Sequence, residues 1–166
     1  MTLQNREILG ESLVDVLDSA AQRGEVAIKQ LSSRVNRRSE LTYSEISQSS
    51  QRLASFLSQH DVLPNDRVLI WGPNSLQWVI SYFGILRTGA VVVPFDEKRE
   101  VSFLSRVVEA TQPRFVIAGE VQRGQLPSGF GVPIIDMEQI GYIAEVEGSQ
   151  VGADLSRADL AEIVFT

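Results

Sequence analysis

The groups in this sequence that could do chemistry are few and narrowly placed. There is no cysteine and a single histidine, His60. Thiol nucleophiles, disulfides and cysteine or His-cluster metal centres are therefore excluded, and a His-based triad has little room. The best ligand candidate is Gly72-Pro73-Asn74-Ser75. It follows the apolar run "RVLIW" and opens an amphipathic stretch, so it presents a helix N-terminus with free N–H groups. It lacks the repeated glycines and the lysine of a phosphate cradle, which keeps a plain helix cap as the competing reading. Asp96-Glu97-Lys98-Arg99-Glu100 mixes both signs within five residues. Nothing there sets two carboxylates across a cleft, so it reads as a solvated loop. Gly124 to Gly131 is glycine-rich, but Pro127 and the lack of a following Lys-Ser or Lys-Thr speak against a nucleotide loop. His60 closes a helical stretch, where its ring favours the negative dipole end, and it reads as a cap neighbour. No catalytic and no metal-binding residue is assigned.

The elements that must position these residues follow from period and punctuation. Ser12 and Asp15 have capping-box spacing, Leu13, Val16, Leu17 and Ala20 share a helical face, and Gly24 ends the helix. The stretch "VAIKQLSSRVNRRSELTY" carries two β-prone pieces around an Arg-rich turn, an antiparallel hairpin with Arg34, Arg37 and Arg38 at a polar tip. Thr42 and Glu45 repeat the box, and Ile46, Leu53 and Leu57 form the stripe of a long helix running to about His60. Then "RVLIWG", "AVVVPF", "RFVIAG" and, more weakly, "VPIID" read as strands buried on both faces. Between the first two lies a helix apolar on most sides, with Asn74 and Gln77 at cap spacing and Gly89 closing it. Between the second and third, Val101, Leu104, Val108 and Thr111 mark another, stopped before Pro113.

Strand–helix alternation of this kind predicts an α/β fold: a doubly wound, mostly parallel sheet flanked by helices, preceded by the antiparallel hairpin. No linker divides residues 1–166, which read as a single domain. The closing "EIVFT" is expected to join the sheet as its last strand. In such sheets ligands bind outside the carboxyl ends of the strands, here Gly72 to Ser75, Pro94 to Asp96, Gly119-Glu120, Asp136 and Thr166. An interior strand left without its partner would expose an apolar edge, and self-association through that edge is the expected consequence.

Composition narrows the partners. A 43% hydrophobic share and 22% charge describe a chain able to bury a full core. The net charge of −6 argues against non-specific nucleic-acid binding. No segment has the length of a membrane span or the layout of a signal peptide, so a cytoplasmic location and no transmembrane segment are expected.

Three stretches, in order, carry a resemblance: "LTYSEI" (41–46), "GILRTGAVVVPFD" (84–96) and "ADLAEIVFT" (158–166). With the intervening "LPNDRVLIWGPNSLQWVISYFGIL", they resemble the opening motifs of the AMP-forming adenylating enzymes. That superfamily holds acyl- and aryl-CoA synthetases, nonribosomal peptide synthetase adenylation domains and beetle luciferases. The similarity spans about residues 26–166 and is nearest to the acyl-CoA synthetase branch. Arg87-Thr88 stand where the family most often has a small residue, Ile46 where Leu is commoner, and "EKREVSF" lacks a usual proline.

The resemblance implies an N-terminal portion of the large domain of an adenylating enzyme, an incomplete part of a larger fold. In the family, a strand ending like Thr166 runs into a Ser/Thr/Gly-rich loop with a Lys that wraps the ATP phosphates; Thr166 would abut that loop. Asn74, Ser75 and Asp96 are carried over only as cleft-lining positions, and no catalytic residue is carried over. The implied reaction joins a fatty or aryl acid to ATP as an acyl-adenylate, then to coenzyme A, with magnesium. The expected partner is the remainder of the enzyme. These residues alone are expected to be inactive and to hold no cofactor. Two other readings stand beside it: a non-catalytic binding or scaffold module of the same ancestry, and part of an amino-acid-activating adenylation domain.

Overall fold

The computed structural model describes residues 12–32, 37–143 and 152–165. The first helix, α1 (Leu13–Ala21), opens with the expected reciprocal box. The Asp15 N–H donates to Ser12 Oγ at 3.2 Å, and the Ser12 N–H donates to Asp15 Oδ2 at 3.0 Å. Its buried face is Val14 and Leu17, not the whole predicted stripe, for Leu13 and Val16 remain exposed. The reason is tertiary. The helix turns toward its neighbours the side that also carries Asp18, which makes a partly buried contact described below.

Strands β1 (Val26–Ser32) and β2 (Arg37–Thr42) form the antiparallel hairpin, with a register shift between Val26 and Ile28. Of the three arginines predicted at the tip, Arg34 lies outside the described residues, whereas Arg37 and Arg38 open β2 as the register partners of Ser32 and Leu31. Thr42 then caps α2 (Tyr43–Gln59) through the Thr42/Glu45 box, and Ile46, Leu53 and Leu57 are buried as their spacing predicted. His60 is the C-cap; its Nδ1 lies 2.8 Å from the Phe56 carbonyl oxygen.

The parallel sheet is built from β3 (Arg67–Trp71), β4 (Val91–Phe95), β5 (Phe115–Ala118) and β6 (Ile134–Asp136), in the order β4-β3-β5-β6. Every pairing is parallel. Helix α3 (Leu76–Arg87) connects β3 to β4, and α4 (Val101–Thr111) connects β4 to β5. Val68, Ile70, Val92, Ile117 and Ile135 pack with α2 and α3 on one face. Leu69, Trp71, Val93, Phe95, Val116 and Ala118 pack with Leu104 and Val107 of α4 on the other. Strands covered on both faces explain the continuous apolar runs, and the doubly wound arrangement is the predicted one. Beyond β5, the short α5 (Glu120–Arg123) and a loop lead to β6, followed by a 3-10 turn (Met137–Gln139) and α6 (Ile140–Ile143). Among the described residues no helix is long and apolar enough to cross a membrane.

Two expectations are corrected. The cap of α3 is Ser75, whose Oγ accepts from the Trp78 N–H at 3.1 Å; Asn74 is exposed. A cap serves the N–H three residues on, and here the helix begins one residue later than the Asn74/Gln77 spacing suggested. The closing stretch is not a full strand. It reaches the sheet beside β4 through one parallel bridge, Val92 with Glu162. There the Val92 N–H donates to the Ala161 oxygen at 3.0 Å, and the Ile163 N–H donates to the Val92 oxygen at 2.9 Å. The next outward donor on β4 would be residue 94, a proline, which has no N–H. The ladder stops there.

Candidate functional site

The chain leaves β3 toward the α3 face. It leaves β5 toward the α4 face, where Leu126, Phe130 and Val132 pack. The two connections diverge between adjacent strands, which is the topological switch point where open α/β sheets hold ligands. Gly72 and Gly119 stand at that point, and the Gly119 N–H donates to the Trp71 oxygen at 2.9 Å. A Cβ on Gly72 would lie 2.8 Å from Met137 Cε, and one on Gly119 would lie 2.8 Å from Gln122 Oε1 and 3.2 Å from Pro73 Cδ. The crevice is therefore filled by the chain's own Met137 and Gln122. Glycine lets Met137 and Gln122 approach this closely, and a Cβ at either position would have to displace a flexible side-chain tip.

The sequence-predicted site residues surround that filled crevice without converging. Ser75 is half-buried and committed to structure: besides capping α3, its hydroxyl donates to Met137 Sδ at 3.8 Å. Asn74 is exposed beside it. Asp96 follows β4 and is exposed; its Oδ1 accepts from the Lys98 N–H at 2.9 Å and its carbonyl from the Arg99 N–H at 3.1 Å. This is the compact Asx turn of a solvated loop. Asn74, Ser75 and Asp96 share one end of the sheet, but no hydrogen bond links Asp96 to the other two. Thr166 lies outside the described residues.

At the end of β6 a carboxylate pair has opposed titration. Asp136 is held below its ordinary 3.8 first by its hydrogen bond with the Glu138 side chain, with Arg123 adding to the effect. Burial, with Asp136 beside it, pushes Glu138 above its ordinary 4.5. Arg123 pairs with Asp136, and Glu138 Oε1 accepts from the Glu120 N–H at 3.1 Å. These bonds fasten α5 to the 3-10 turn. Among the described residues no three carboxylate, imidazole or thiol groups are gathered so as to hold a metal ion.

Two features escaped the sequence reading. Arg87 appeared only as a departure from a family pattern, yet it is buried and uses its whole guanidinium. Nε donates to Ser50 Oγ at 2.9 Å, Nη1 to Asp18 Oδ2 at 3.0 Å and Gln51 Oε1 at 3.1 Å, and Nη2 to Ser47 Oγ at 3.0 Å and to Asp18 Oδ1. Burial alone would raise the Asp18 carboxyl, but its bonds to Arg87 and Ser47 hold it below 3.8 overall. The signal available was an arginine inside an apolar helical pattern, with Asp18 an unremarked candidate partner. The second feature is Tyr82, whose hydroxyl donates to Glu162 Oε2 at 3.2 Å. Burial and the Glu162 charge push it up to about 12, and the contact ties α3 to the closing stretch.

Comparison with known proteins gives these features a setting. Residues 18–166 match the AMP-binding enzyme family. Enniatin synthase of Fusarium equiseti is 26% identical over 159 residues, covering 93% of this chain and 5% of that protein. A substituted propanoyl:CoA ligase of Rhodococcus jostii (strain RHA1) is 32% identical over 80 residues, covering 48% of this chain and 16% of that protein. Among solved structures, the fatty acyl-adenylate ligase from L. pneumophila, in complex with acyl adenylate and pyrophosphate, superposes with a TM-score of 0.82 at 21% identity. It covers 97% of this chain and 29% of its own. The chain thus spans less than a third of each of these relatives. A family match running from Asp18 to Thr166, over a doubly wound sheet of the same fold, establishes that this chain belongs to the AMP-binding, or adenylating, enzyme family.

Proposed function

We propose that residues 1–166 are the N-terminal portion of the large domain of an acyl-CoA synthetase that activates a fatty or aryl acid. In the complete reaction the acid's carboxylate oxygen attacks the α-phosphorus of ATP and pyrophosphate leaves. The thiolate of coenzyme A then attacks the acyl carbon and AMP leaves. Catalysis of that kind works by alignment and by stabilising charge on the departing pyrophosphate. What the described residues contribute is scaffold: a sheet whose carboxyl end is built and whose switch-point crevice is filled. ATP, magnesium and coenzyme A would be engaged by further parts of the enzyme, beginning with a phosphate-wrapping loop after Thr166.

The observation that carries this reading is the delivery of the closing stretch to the sheet. The bridge at Val92 and the Tyr82–Glu162 bond lead residues 161–165 along the outer side of β4 toward its carboxyl end. That is where a phosphate-binding loop would have to begin. The test is direct: the 166-residue chain with ATP, magnesium, mixed fatty and aryl acids and coenzyme A is expected to release no pyrophosphate above background. Turnover would overturn the proposal. An amino-acid-activating adenylation domain is the second reading, favoured by the likeness to enniatin synthase across 93% of the chain. Supplying amino acids in the same assay with the full-length protein separates the two.

A further inference from the structure

An aromatic column on the α4 side of the sheet runs from core to surface. Trp71 and Phe95, the last residues of β3 and β4, are register partners. Their rings meet edge to face at 5.7 Å. Phe95 stacks on Phe103 of α4 at 5.9 Å. Two guanidiniums then sit over that one Phe103 ring: Arg99 at 5.1 Å and Arg106 at 5.0 Å from its centroid. Phe103 and Arg106 are i,i+3 neighbours on α4, and Arg99 reaches the same ring from the turn that precedes the helix.

The donors along this column lack acceptors. Trp71 is fully buried, and its indole N–H has no acceptor among the described residues. Arg67, Arg87, Arg114 and Arg123 each reach a carbonyl or carboxylate oxygen. Arg99 and Arg106, both exposed, make no ion pair among the described residues although Glu97, Glu100 and Glu109 are near in sequence. The Asp96 carboxylate is turned to the Lys98 N–H, and Glu100 accepts from the Ser102 hydroxyl. Attraction to a single ring quadrupole therefore holds two like charges together with nothing to neutralise them. Being 5.1 and 5.0 Å from the same centroid, the two Cζ atoms are no more than about 10 Å apart, within the reach of two long, exposed side chains turning toward one tetrahedral anion.

We propose that Arg99 and Arg106, seated on Phe103, form a fork that binds a phosphate monoester dianion on the α4 side of the sheet's carboxyl end. Two guanidiniums match a double negative charge and offer four or more N–H donors, whereas a carboxylate occupies only one fork. The proposal rests on the described geometry and not on the reading of the chain as part of an acyl-CoA synthetase.

The test is an NMR titration of the 166-residue protein at pH 7.5 and constant ionic strength, following the arginine Nε–Hε signals. Inorganic phosphate and AMP are the probes, with acetate and adenosine as controls. Phosphate and AMP are expected to shift two arginine signals saturably while acetate and adenosine do not. A shift with AMP alone would assign the site to an organic monoester, and equal shifts with both to the phosphate group itself. R106A is expected to weaken binding about tenfold and R99A/R106A to abolish it. R99K/R106K, which keeps the charge but not the fork, is expected to lose most of it. Circular dichroism confirms that each variant is folded. Absence of a saturable shift in the wild type, persistence in the double alanine variant, or wild-type binding by the double lysine variant would each overturn the proposal.

Discussion

The amino end of the sheet and the carboxyl ends of its strands β3 and β4 treat their polar groups differently. At the amino end the guanidiniums of Arg67 and Arg87 are consumed. Arg67, opening β3, donates to the carbonyls of Thr111 and Gln112 at the end of α4, where the helix dipole is negative. Arg87, closing α3, is spent on Asp18, Ser47, Ser50 and Gln51 and so binds three helices together. At the carboxyl end the Trp71 N–H is unpaired, Arg99 and Arg106 rest on a ring, and Asn74 and Asp96 are exposed. Complete pairing is what a structural region needs, because an unpaired buried donor costs free energy. Donors without acceptors are affordable only where something else supplies the acceptor. The contrast puts a structural clasp at the amino end and unmatched donors at the other, the end where parallel α/β sheets generally hold ligands.

The largest effect should come from breaking the amino end. Arg87→Ala leaves Asp18 half-buried without its cation and strips four oxygen-bearing partners of a donor. A loss of about 3–5 kcal/mol is expected in urea unfolding, and a loss below about 1 kcal/mol would show that the clasp is not structural. The glycines give a second contrast. At the amino end Gly89 has φ +75°, and a Cβ there would lie 3.0 Å from Ala153 Cβ and 3.1 Å from Pro64 Cβ. Gly89→Ala is expected to cost about 1–3 kcal/mol from backbone strain and overpacking. At the carboxyl end Gly72→Ala meets the flexible tip of Met137 and should cost no more than about 1 kcal/mol. Equal costs in the same thermal or urea series would erase the distinction between a rigid end and a yielding one.

The smallest effect concerns pH. Because the folded Asp18 carboxyl titrates below its ordinary 3.8, its contribution is fully present above that value and is lost as pH falls through the folded one. The stability gap between wild type and Asp18→Asn should therefore be constant above about pH 5 and close as the pH drops below the ordinary carboxylate range. A gap that widened on acidification would reverse the assigned direction.

Local chemistry was legible residue by residue. The boxes at Ser12/Asp15 and Thr42/Glu45, the hairpin, the four apolar runs and the stop before Pro113 all lie where short-range pattern placed them. The candidate site was legible only as a location. Asn74, Ser75 and Asp96 do flank the strand ends, but whether Ser75 caps a helix or faces a ligand depends on where α3 begins against Met137. Arg87 was visible as an anomaly and Phe103 as one more apolar helix residue. Their partners lie 69 positions away in Asp18 and across the sheet edge in Phe95.

Period, caps and turn residues act over three or four positions, so the sequence by itself determined the elements, their order and the parallel sheet they must form. It also contained, in Pro94, the reason that the closing stretch makes only one bridge. Which donors would be matched and which left open was decided by the tertiary structure alone. Hydrogen-bond satisfaction is a property of residues brought together in space, and pairings such as Asp18 with Arg87 arise only once α1, α2 and α3 have packed.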